Sequence, residues 1–381
     1  MSVTAIATAL AGCSSSSGTG ATGSPSTGTS ASGSTDCIAA VTQTAAAKTY
    51  TTPPTDANPA AKGKKIAIVA VGMASPTVAV GAAGVQKAAA AIGWQSKLYD
   101  AKLDPAQFPV LVKEAVASKV DGIVGVGLDA PLVKAAVQQA TAAGIPTISV
   151  QGWDLNDDPS TSGQAPVFAT HISFGSRYKD FADAVRAYGA TSAAWDIKQA
   201  NCKGTIIDFA NNEYTTLKLL EQGYAAQVSS VCPDCKRVKV DWLAADFGPT
   251  LTSKAKASFL QNPDAVAAHG ATNPTLGITQ AVVQGGLVGK VKMIGGFGVA
   301  ADYDTVRSGQ GLDAVNSWPL EWWAYGAVDT LNSYFNKTPA RDEGLGFQIV
   351  DATTDLPPKG QDFKPSFDVP AAYAKSWGVT G

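Results

Sequence analysis

The sequence predicts an α/β fold with two similar lobes, each built on a doubly wound parallel sheet. About ten short apolar, β-branched runs alternate with helical stretches, which is typical of parallel sheets covered by helices on both faces. That number of strands exceeds what one ordinary open sheet of this type uses, and the 381 residues allow two or more domains of about 150 residues each. We therefore expect a ligand cleft at the carboxyl ends of the strands, between the lobes.

The first lobe is predicted from a regular series of strand–helix units. The run KKIAIVAV at 64–71 opens it as a strand that is apolar on both faces. An alanine-rich helix over 77–92 follows and ends at Gly93. The tripeptide Gly144-Ile145-Pro146 marks the last turn from helix to strand. The other predicted elements are strands at 96–100, 122–126 and 147–150 and helices at 105–118 and 131–143.

A second series begins after the polar loop 151–165 and predicts the second lobe. Its apolar runs again alternate with helical stretches. The predicted strands are 167–172, 204–209, 237–242, 265–268, 292–297, 312–316 and 347–350, and the predicted helices are 176–188, 214–228, 251–260, 275–284 and 321–335.

The composition argues against several functional classes. The chain carries 29 Lys and Arg against 31 Asp and Glu, so it lacks the clustered basic excess that nucleic-acid binding needs. No stretch of about 20 apolar residues is present, as a membrane-spanning helix would require. Two histidines and five cysteines leave few candidate metal ligands. We expect no cofactor, no metal and no nucleic-acid partner.

The N-terminal residues suggest a lipid anchor and a tether. Residues 1–13 form an apolar run of small residues ending in Leu-Ala-Gly-Cys, which resembles the lipobox of bacterial lipoproteins, where the cysteine (here Cys13) is lipidated. The alternative is an ordinary disordered terminus with an incidental cysteine. The first basic residue is Lys48, so the positive segment of a signal peptide is missing, and we expect a start further upstream or a trimmed leader. Residues 14–63 begin with a tract of Ser, Thr, Gly, Ala and Pro, which predicts a flexible tether.

Export would place the remaining cysteines in an oxidising compartment. Cys37, Cys202, Cys232 and Cys235 then form an even set with three possible pairings. Cys232–Cys235 is the easiest local bridge, and it leaves Cys37 with Cys202. A redox-active CxxC or a zinc site is the alternative, but the thioredoxin-like context is missing and neither histidine is near in sequence.

Several short motifs resemble the type I periplasmic solute-binding proteins, the ribose and sugar-binding class of ABC importers. The resemblance runs from Lys64 to Phe347, and no single motif is specific. Its strength lies in their common order and spacing. The motifs are KKIAIVAV followed by Ser75-Pro76, Asp121-Gly122-Ile123-Val124 before Leu128-Asp129-Ala130, Gly144 to Val150, Gly223-Tyr224, Asn273 to Gly277, Ile294 to Phe297, and the helix after Pro319.

The resemblance implies two lobes that are joined by a three-stranded hinge, close on a small ligand and dock on a membrane permease. It places the N-terminal lobe at 64–168 plus 317–343 and the C-terminal lobe at 169–316 plus 344–365. We expect residues 366–381 to form a C-terminal tail. It also implies an extracytoplasmic, monomeric receptor that reaches the cell membrane only through its lipid anchor.

The family's pocket positions are only partly retained. Where the family has ligand-reading Asp, Arg, Asp and Gln, this chain has Gln151, Lys218 or Leu220, Gly298 and Ser317. Asp129 could accept a ligand hydrogen bond or cap the next helix, and Asn211 could likewise cap a helix or contact a polar ligand. The residues expected to bind the ligand are Met73, Ser75, Thr77, Asp129, Gln151, Trp153, Asn211, Phe247, Asn273, Gly298, Asn316 and Trp318.

These departures predict an unusual ligand. Every hydroxyl buried without a partner costs about 1–3 kcal/mol, so losing charged polyol readers argues against an ordinary pyranose. Trp153, Phe247 and Trp318 offer flat faces that suit a ring, although core packing is an equally good interpretation for each tryptophan. We expect a sugar-like, polyol or less polar ring compound that carries fewer hydroxyls than a hexose.

Other functions are weighed against this one. We do not expect an enzyme, because no GxSxG elbow, phosphate-binding loop or Cys/His pair in suitable register is present. A ligand-responsive transcription regulator would need an N-terminal DNA-binding segment where this chain has its Ser/Gly tract. A sensor that presents its ligand to a membrane receptor stays open as an alternative to a transport receptor.

Overall fold

The computed structural model describes residues 30–157, 164–272 and 277–379. Helices and strands alternate along most of the chain. The helices are α1 (Ser30–Ala45), α2 (Pro76–Ala91), α3 (Gln107–Ala117), α4 (Ala130–Ala142), α5 (Phe181–Gln199), α6 (Thr215–Val231), α7 (Pro249–Gln261), α8 (Ile278–Gln284), α9 (Ala300–Ser308), α10 (Leu320–Phe335) and α11 (Val369–Trp377). The strands are β1 (Lys65–Ala70), β2 (Gln95–Asp100), β3 (Gly122–Val126), β4 (Thr147–Val150), β5 (Thr205–Asn211), β6 (Lys236–Trp242), β7 (Ala265–Gly270), β8 (Lys292–Phe297), β9 (Ala314–Ser317) and β10 (Gln348–Asp351).

The strands form two sheets, which confirms the predicted two-lobed α/β fold. The first lobe has the strand order β2-β1-β3-β4, and all its neighbours are parallel. The second has the order β10-β9-β8-β7-β5-β6, parallel except for the antiparallel pair β9 and β10. Strands β3 and β5 are buried along their whole length, because helices cover both faces of a parallel sheet.

The chain passes from one lobe to the other wherever two successive elements pack on different sheets. Helix α5 packs on β7 and β8 of the second lobe, whereas α10 packs on α2, β3 and β4 of the first. The segment between β4 and α5, the junction of β9 with α10 and the segment from α10 to β10 therefore cross the hinge. These three crossings form the predicted hinge, and the segments before β1 and after β10 also run between the lobes.

One predicted strand, at 167–172, does not form. The backbone N–H groups of Val167 and Phe168 donate instead to the buried carboxylate of Asp154, at 2.8–3.0 Å. A backbone whose N–H groups bind a side chain is not available for a strand ladder. The following helix begins at Phe181 rather than at 176, where Asp180 accepts a hydrogen bond from the Asp183 N–H as its N-cap.

The prediction of a flexible tether over 14–63 is wrong for the part that the structure describes. Helix α1 packs against α5 and α6 of the second lobe, and Val41 is fully buried there. The chain then follows the hinge, where the Thr49 N–H donates to the Phe347 carbonyl at 3.0 Å. It reaches the first lobe at Asn58, whose amide donates to Asp329 Oδ1 at 3.0 Å. Apolar residues after the Ser/Gly tract supply the buried surface that holds this segment.

Two disulfides are present, Cys37–Cys202 and Cys232–Cys235, the pairing that the sequence analysis favoured. The first bonds α1 to the end of α5, across 165 positions of sequence. The second closes a tight turn between α6 and β6. Within the described residues, no three His, Cys, Asp or Glu side chains are grouped to hold a metal ion.

The C-terminal residues return to the first lobe. After β10 the chain packs Phe363 into the core of the second lobe, and α11 then lies against α10 and α2. Trp377 is buried, and its indole N–H donates to Asp329 Oδ1 at 2.7 Å. The predicted tail at 366–381 thus includes a packed helix. None of the helices in the described part of the chain is long and apolar enough to cross a membrane.

Candidate ligand-binding cleft

A cavity of about 90 Å³ lies between the lobes at the carboxyl ends of the strands, the place where open α/β sheets bind ligands. Both lobes contribute to its wall. The first lobe supplies Val71, Ser75, Thr77, Val78, Leu103, Gly127, Asp129 and Gln151, and the second supplies Asn211, Tyr214, Thr216, Leu217, Trp242, Ala244, Phe247, Thr272 and Phe297.

The start of α2 forms one polar part of the wall. Ser75 precedes the helix in an extended conformation, and Pro76 occupies the first helical turn, where a missing N–H has no cost. The hydroxyls of Ser75 and Thr77 lie 3.2 Å apart. Met73, also expected in the site, is half-buried beside this turn but does not line the cavity; its N–H donates to Asp100 Oδ1 at 3.0 Å.

Gln151 follows β4 and brings its amide to the cavity. It is half-buried and has a φ of 60°, the left-handed region that favours glycine. Such a conformation costs a non-glycine residue about 1–3 kcal/mol and is concentrated at functional sites. The amide Nε2 donates to the Thr77 carbonyl at 3.4 Å, a long contact that leaves the amide group near the ligand space.

Asp129 is 2 % exposed and joins the two lobes. Its carboxylate accepts hydrogen bonds from the Trp153 N–H (3.0 Å), the Thr215 N–H (2.7 Å) and the Thr216 hydroxyl (3.4 Å). Burial raises the pKa of Asp129 to about 6, and these hydrogen bonds partly oppose the rise. Its side chain does not cap α4, the helix that follows it in sequence.

The end of β5 supplies a polar group from the second lobe. Asn211 is almost fully buried; its amide donates to Glu213 Oε2 at 3.1 Å, and its carbonyl accepts from the Glu213 N–H at 2.9 Å. These bonds form an Asx-type turn that leads into α6. Tyr214 lies beside it, and burial, followed by the charges of Glu213 and Asp129, raises its pKa to about 12.

Aromatic rings form the apolar part of the second-lobe wall. Phe247 follows the 3₁₀ turn Ala244–Asp246, and its ring centroid is 5.2 Å from that of Trp242. The Trp242 indole N–H is satisfied by the Phe209 carbonyl at 3.2 Å, so this ring offers the cavity its apolar surface. Phe297 ends β8 with a φ of 62°.

Both expected tryptophans lie outside the cavity lining. Trp153 is buried in the core of the first lobe, and only its backbone N–H reaches toward the site, through Asp129. Trp318 is 1 % exposed and stacks on Trp323 with centroids 4.6 Å apart. Both rings therefore pack in the protein interior.

The other expected residues near the last strands are also in the interior. Asn316 is fully buried, and its amide donates to the Tyr188 carbonyl at 2.9 Å and the Ser192 hydroxyl at 3.0 Å. Gly298 has a φ of +80°, and a Cβ there would lie 2.1 Å from the Tyr303 hydroxyl. Asn273 lies outside the described residues.

The structure thus brings Ser75, Thr77, Asp129, Gln151, Asn211 and Phe247 together around one cavity. Sequence reasoning missed most of the apolar wall. Trp242 and Phe297 are the last residues of β6 and β8, so the rule that ligands bind at carboxyl ends of strands could have identified them.

The comparisons with known proteins agree with this architecture. Residues 66–339 match a family described as the periplasmic binding protein domain. No curated protein matches the chain significantly. Three similar solved structures are solute-binding proteins of transporters, the first two of ABC transporters. One from Agrobacterium vitis, with bound alpha-D-tagatopyranose, is 20% identical, with a TM-score of 0.67 over 78% of this chain and 97% of that one. One from Actinobacillus succinogenes, with D-allose, is 19% identical, with a TM-score of 0.64 over 76% and 98%. A 5-methylthioribose transporter protein from Thermotoga lettingae is 14% identical, with a TM-score of 0.64 over 76% and 87%.

At these identities the solved structures establish the shared fold. The family match covers most of the chain and both lobes. The chain belongs to the periplasmic binding protein domain family.

Proposed function

We propose that the protein is the extracytoplasmic receptor of an ABC importer, which closes its lobes on a small ligand and delivers that ligand to a permease. The observation that carries the proposal is the cavity between the lobes, walled by both of them. Two lobes that contact a ligand together bind it best when closed, so the ligand shifts the population toward the closed form.

The ligand that suits this cavity is neutral and compact. Among the described residues that line it, Asp129 is the one charged side chain, and its carboxylate already accepts three hydrogen bonds from the protein. An anionic ligand would lie there without a counter-ion, which is costly in a buried site, and a cationic ligand would meet only a carboxylate whose hydrogen bonds go to the protein. The polar groups near the ligand space are hydroxyls and amides, which can donate and accept.

The volume of the cavity favours a ligand smaller than a hexose, and its apolar wall favours one with less polar surface. Its volume of about 90 Å³ is below the roughly 150 Å³ of an apolar cavity that holds benzene. A hexose ring would therefore require a wider cleft between the lobes. Phe247, Trp242 and Phe297 line one side with apolar surface. A small ring or a short polyol with one apolar face suits this wall, and either would widen the cleft less than a hexose would.

The test begins with mass spectrometry of whatever small molecule co-purifies with the native protein. A thermal-shift panel then compares short polyols, methylated sugars and small ring alcohols with glucose and ribose. A ligand at 100 times its Kd should add about 2.7 kcal/mol to the free energy of unfolding. Tight binding of glucose or ribose would refute the proposed ligand class, and failure of any small molecule to bind would refute the receptor function.

Once a ligand is identified, calorimetry on Phe247→Ala measures the contribution of the aromatic wall. Removing a true aromatic anchor should cost at least about 2 kcal/mol, or roughly thirtyfold in Kd. Leu243→Ala is the matched control, because Leu243 is half-exposed, lies in the same loop and does not line the cavity. Equal affinities in the two variants would make Phe247 a packing residue.

The anchor belongs to the same proposal. Cys13 lies outside the described residues, and its lipobox-like context supports lipidation. A fatty-acid label should mark the protein expressed from its native gene, and Cys13→Ser should abolish the label. Label that persists in the variant would refute the anchor. Light scattering should give the mass of a monomer.

A further inference from the structure

The Asp129 carboxylate bonds to both lobes at once. Asp129 belongs to the loop between β3 and α4 of the first lobe and accepts the Trp153 N–H of that lobe at 3.0 Å. From the second lobe it accepts the Thr215 N–H at 2.7 Å and the Thr216 hydroxyl at 3.4 Å. The residue is 2 % exposed, so these bonds lie inside the closed cleft.

The partner in the second lobe is the uncapped start of α6. The first N–H groups of a helix have no acceptor within the helix, and the helix dipole favours a negative charge there. Tyr214 precedes α6 in an extended conformation, and its side chain makes no capping hydrogen bond. The cap that a neighbouring Ser or Asp would ordinarily provide comes instead from Asp129, across the cleft.

We infer that Asp129 is a positioning residue that caps α6 across the cleft and thereby stabilises the closed arrangement of the lobes, rather than a group that reads the ligand. This inference rests on the proposed receptor function, since a contact between lobes matters only if they open. It separates Asp129 from the other polar wall residues Gln151 and Asn211, whose partners lie within their own lobes.

The energetics suit a contact that forms and breaks. On closure the carboxylate leaves water, which opposes closure, and the same burial raises its pKa to about 6. The hydrogen bonds to α6 act in the opposite direction, and a bond to a charged group is stronger than one between neutral groups. The contact therefore stabilises the closed form only while the α6 donors are in place, and the ligand contacts add to its effect.

Two substitutions break the contact from opposite sides. Thr215→Pro removes the donating N–H at the first helical position, where proline is well tolerated, and the extended Tyr214 suits a residue before proline. Asp129→Asn keeps the size of the side chain but leaves one oxygen where the carboxylate has two. The control is Asp121→Asn, since Asp121 accepts the Lys65 N–H at 2.8 Å within the first lobe.

The closed population can be measured without knowing the ligand. Spin labels on cysteines placed at Gln138 of α4 and Ser229 of α6, both exposed, report the distance between lobes by double electron–electron resonance. The labelled protein carries Cys13→Ser and keeps its disulfides oxidised. Unfolding in guanidinium on a column and refolding removes any bound molecule.

We expect the wild type to show a closed species without ligand, and each variant to lower its closed-to-open ratio about tenfold or more. The ratio of the double variant should fall no further than that of the more severe single variant, because both substitutions remove the same contact, and Asp121→Asn should match the wild type. The inference is overturned by a wild type without a closed species, by an unchanged ratio in Thr215→Pro or Asp129→Asn, or by additive effects. Because no ligand is needed, such a failure is separate from a failure of the receptor function, which the co-purification experiment detects.

Discussion

Removing the Cys37–Cys202 disulfide should cost the protein far more stability than removing Cys232–Cys235. A disulfide lowers the conformational entropy of the unfolded chain, and this loss grows with the logarithm of the number of residues in the loop that it closes. The two bonds span 165 and 3 positions of sequence. The chain-entropy relation gives about 5 kcal/mol for the long loop and about 2 kcal/mol for the short one.

The surroundings of the long-loop disulfide add a local effect. Cys37 lies on α1, which packs with Val41 into a small core that it shares with α5 and α6. Without the covalent bond, α1 is held by this limited apolar surface alone, and a helix in a protein owes most of its stability to such packing. Amide exchange in α1 should therefore accelerate even where the lobes stay folded.

The assay compares two double variants, Cys37→Ala with Cys202→Ala and Cys232→Ala with Cys235→Ala. Alanine avoids burying a new hydroxyl, since Cys37, Cys202 and Cys232 are buried. Guanidinium unfolding followed by far-ultraviolet circular dichroism measures each loss, and hydrogen exchange reports α1. Equal losses, or a larger loss for the short loop, would refute the reasoning from loop length.

Two further predictions concern buried groups. Burial raises the pKa of Asp157 to about 7, helped by the charge of Asp154, so the folded state holds a proton that the unfolded state loses near pH 4. Because Asp157 loses this proton, the free energy of unfolding should fall by about 2–3 kcal/mol as the pH rises from 5 to 7.5. Asp157→Asn should remove that part of the slope, and the exposed Asp234→Asn should keep it; an unchanged slope in Asp157→Asn contradicts the assignment. Gly189→Ala should cost about 3 kcal/mol or more, because a Cβ there would lie 2.0 Å from the Leu220 carbonyl of α6. A loss as small as that of exposed Ser229→Ala would show that α5 and α6 can separate freely.

The repeating elements could be predicted from the sequence because their causes are local. Strands such as β1 and β3 are continuous apolar, β-branched runs, and glycines and prolines mark the turns that follow the helices. Helix α1 was missed because its first residues belong to the Ser/Gly tract and only a short apolar stretch around Val41 follows them. The strand at 167–172 was wrongly predicted because its apolar residues do not show that Asp154 binds their backbone N–H groups.

The candidate site could be predicted only in part. Ser75, Gln151 and Asn211 lie at the carboxyl ends of strands or at the start of a helix, and parallel topology alone brings such positions to one edge. Which way a ring points depends on packing. Trp318 stacks on Trp323 in the interior, whereas Trp242, at the end of an edge strand, reaches the cavity.

The sequence by itself determined the two-lobed architecture, the oxidised cysteines and a cleft poor in the charges that read sugars. Only the tertiary structure decided which aromatic rings face the cleft and what Asp129 does there. The physical reason is the distance in sequence over which each interaction acts. Periodicity and turn chemistry act between neighbours in sequence, whereas the bonds from Thr215 and Thr216 to Asp129 span 86 and 87 positions and exist because two separately folded lobes meet.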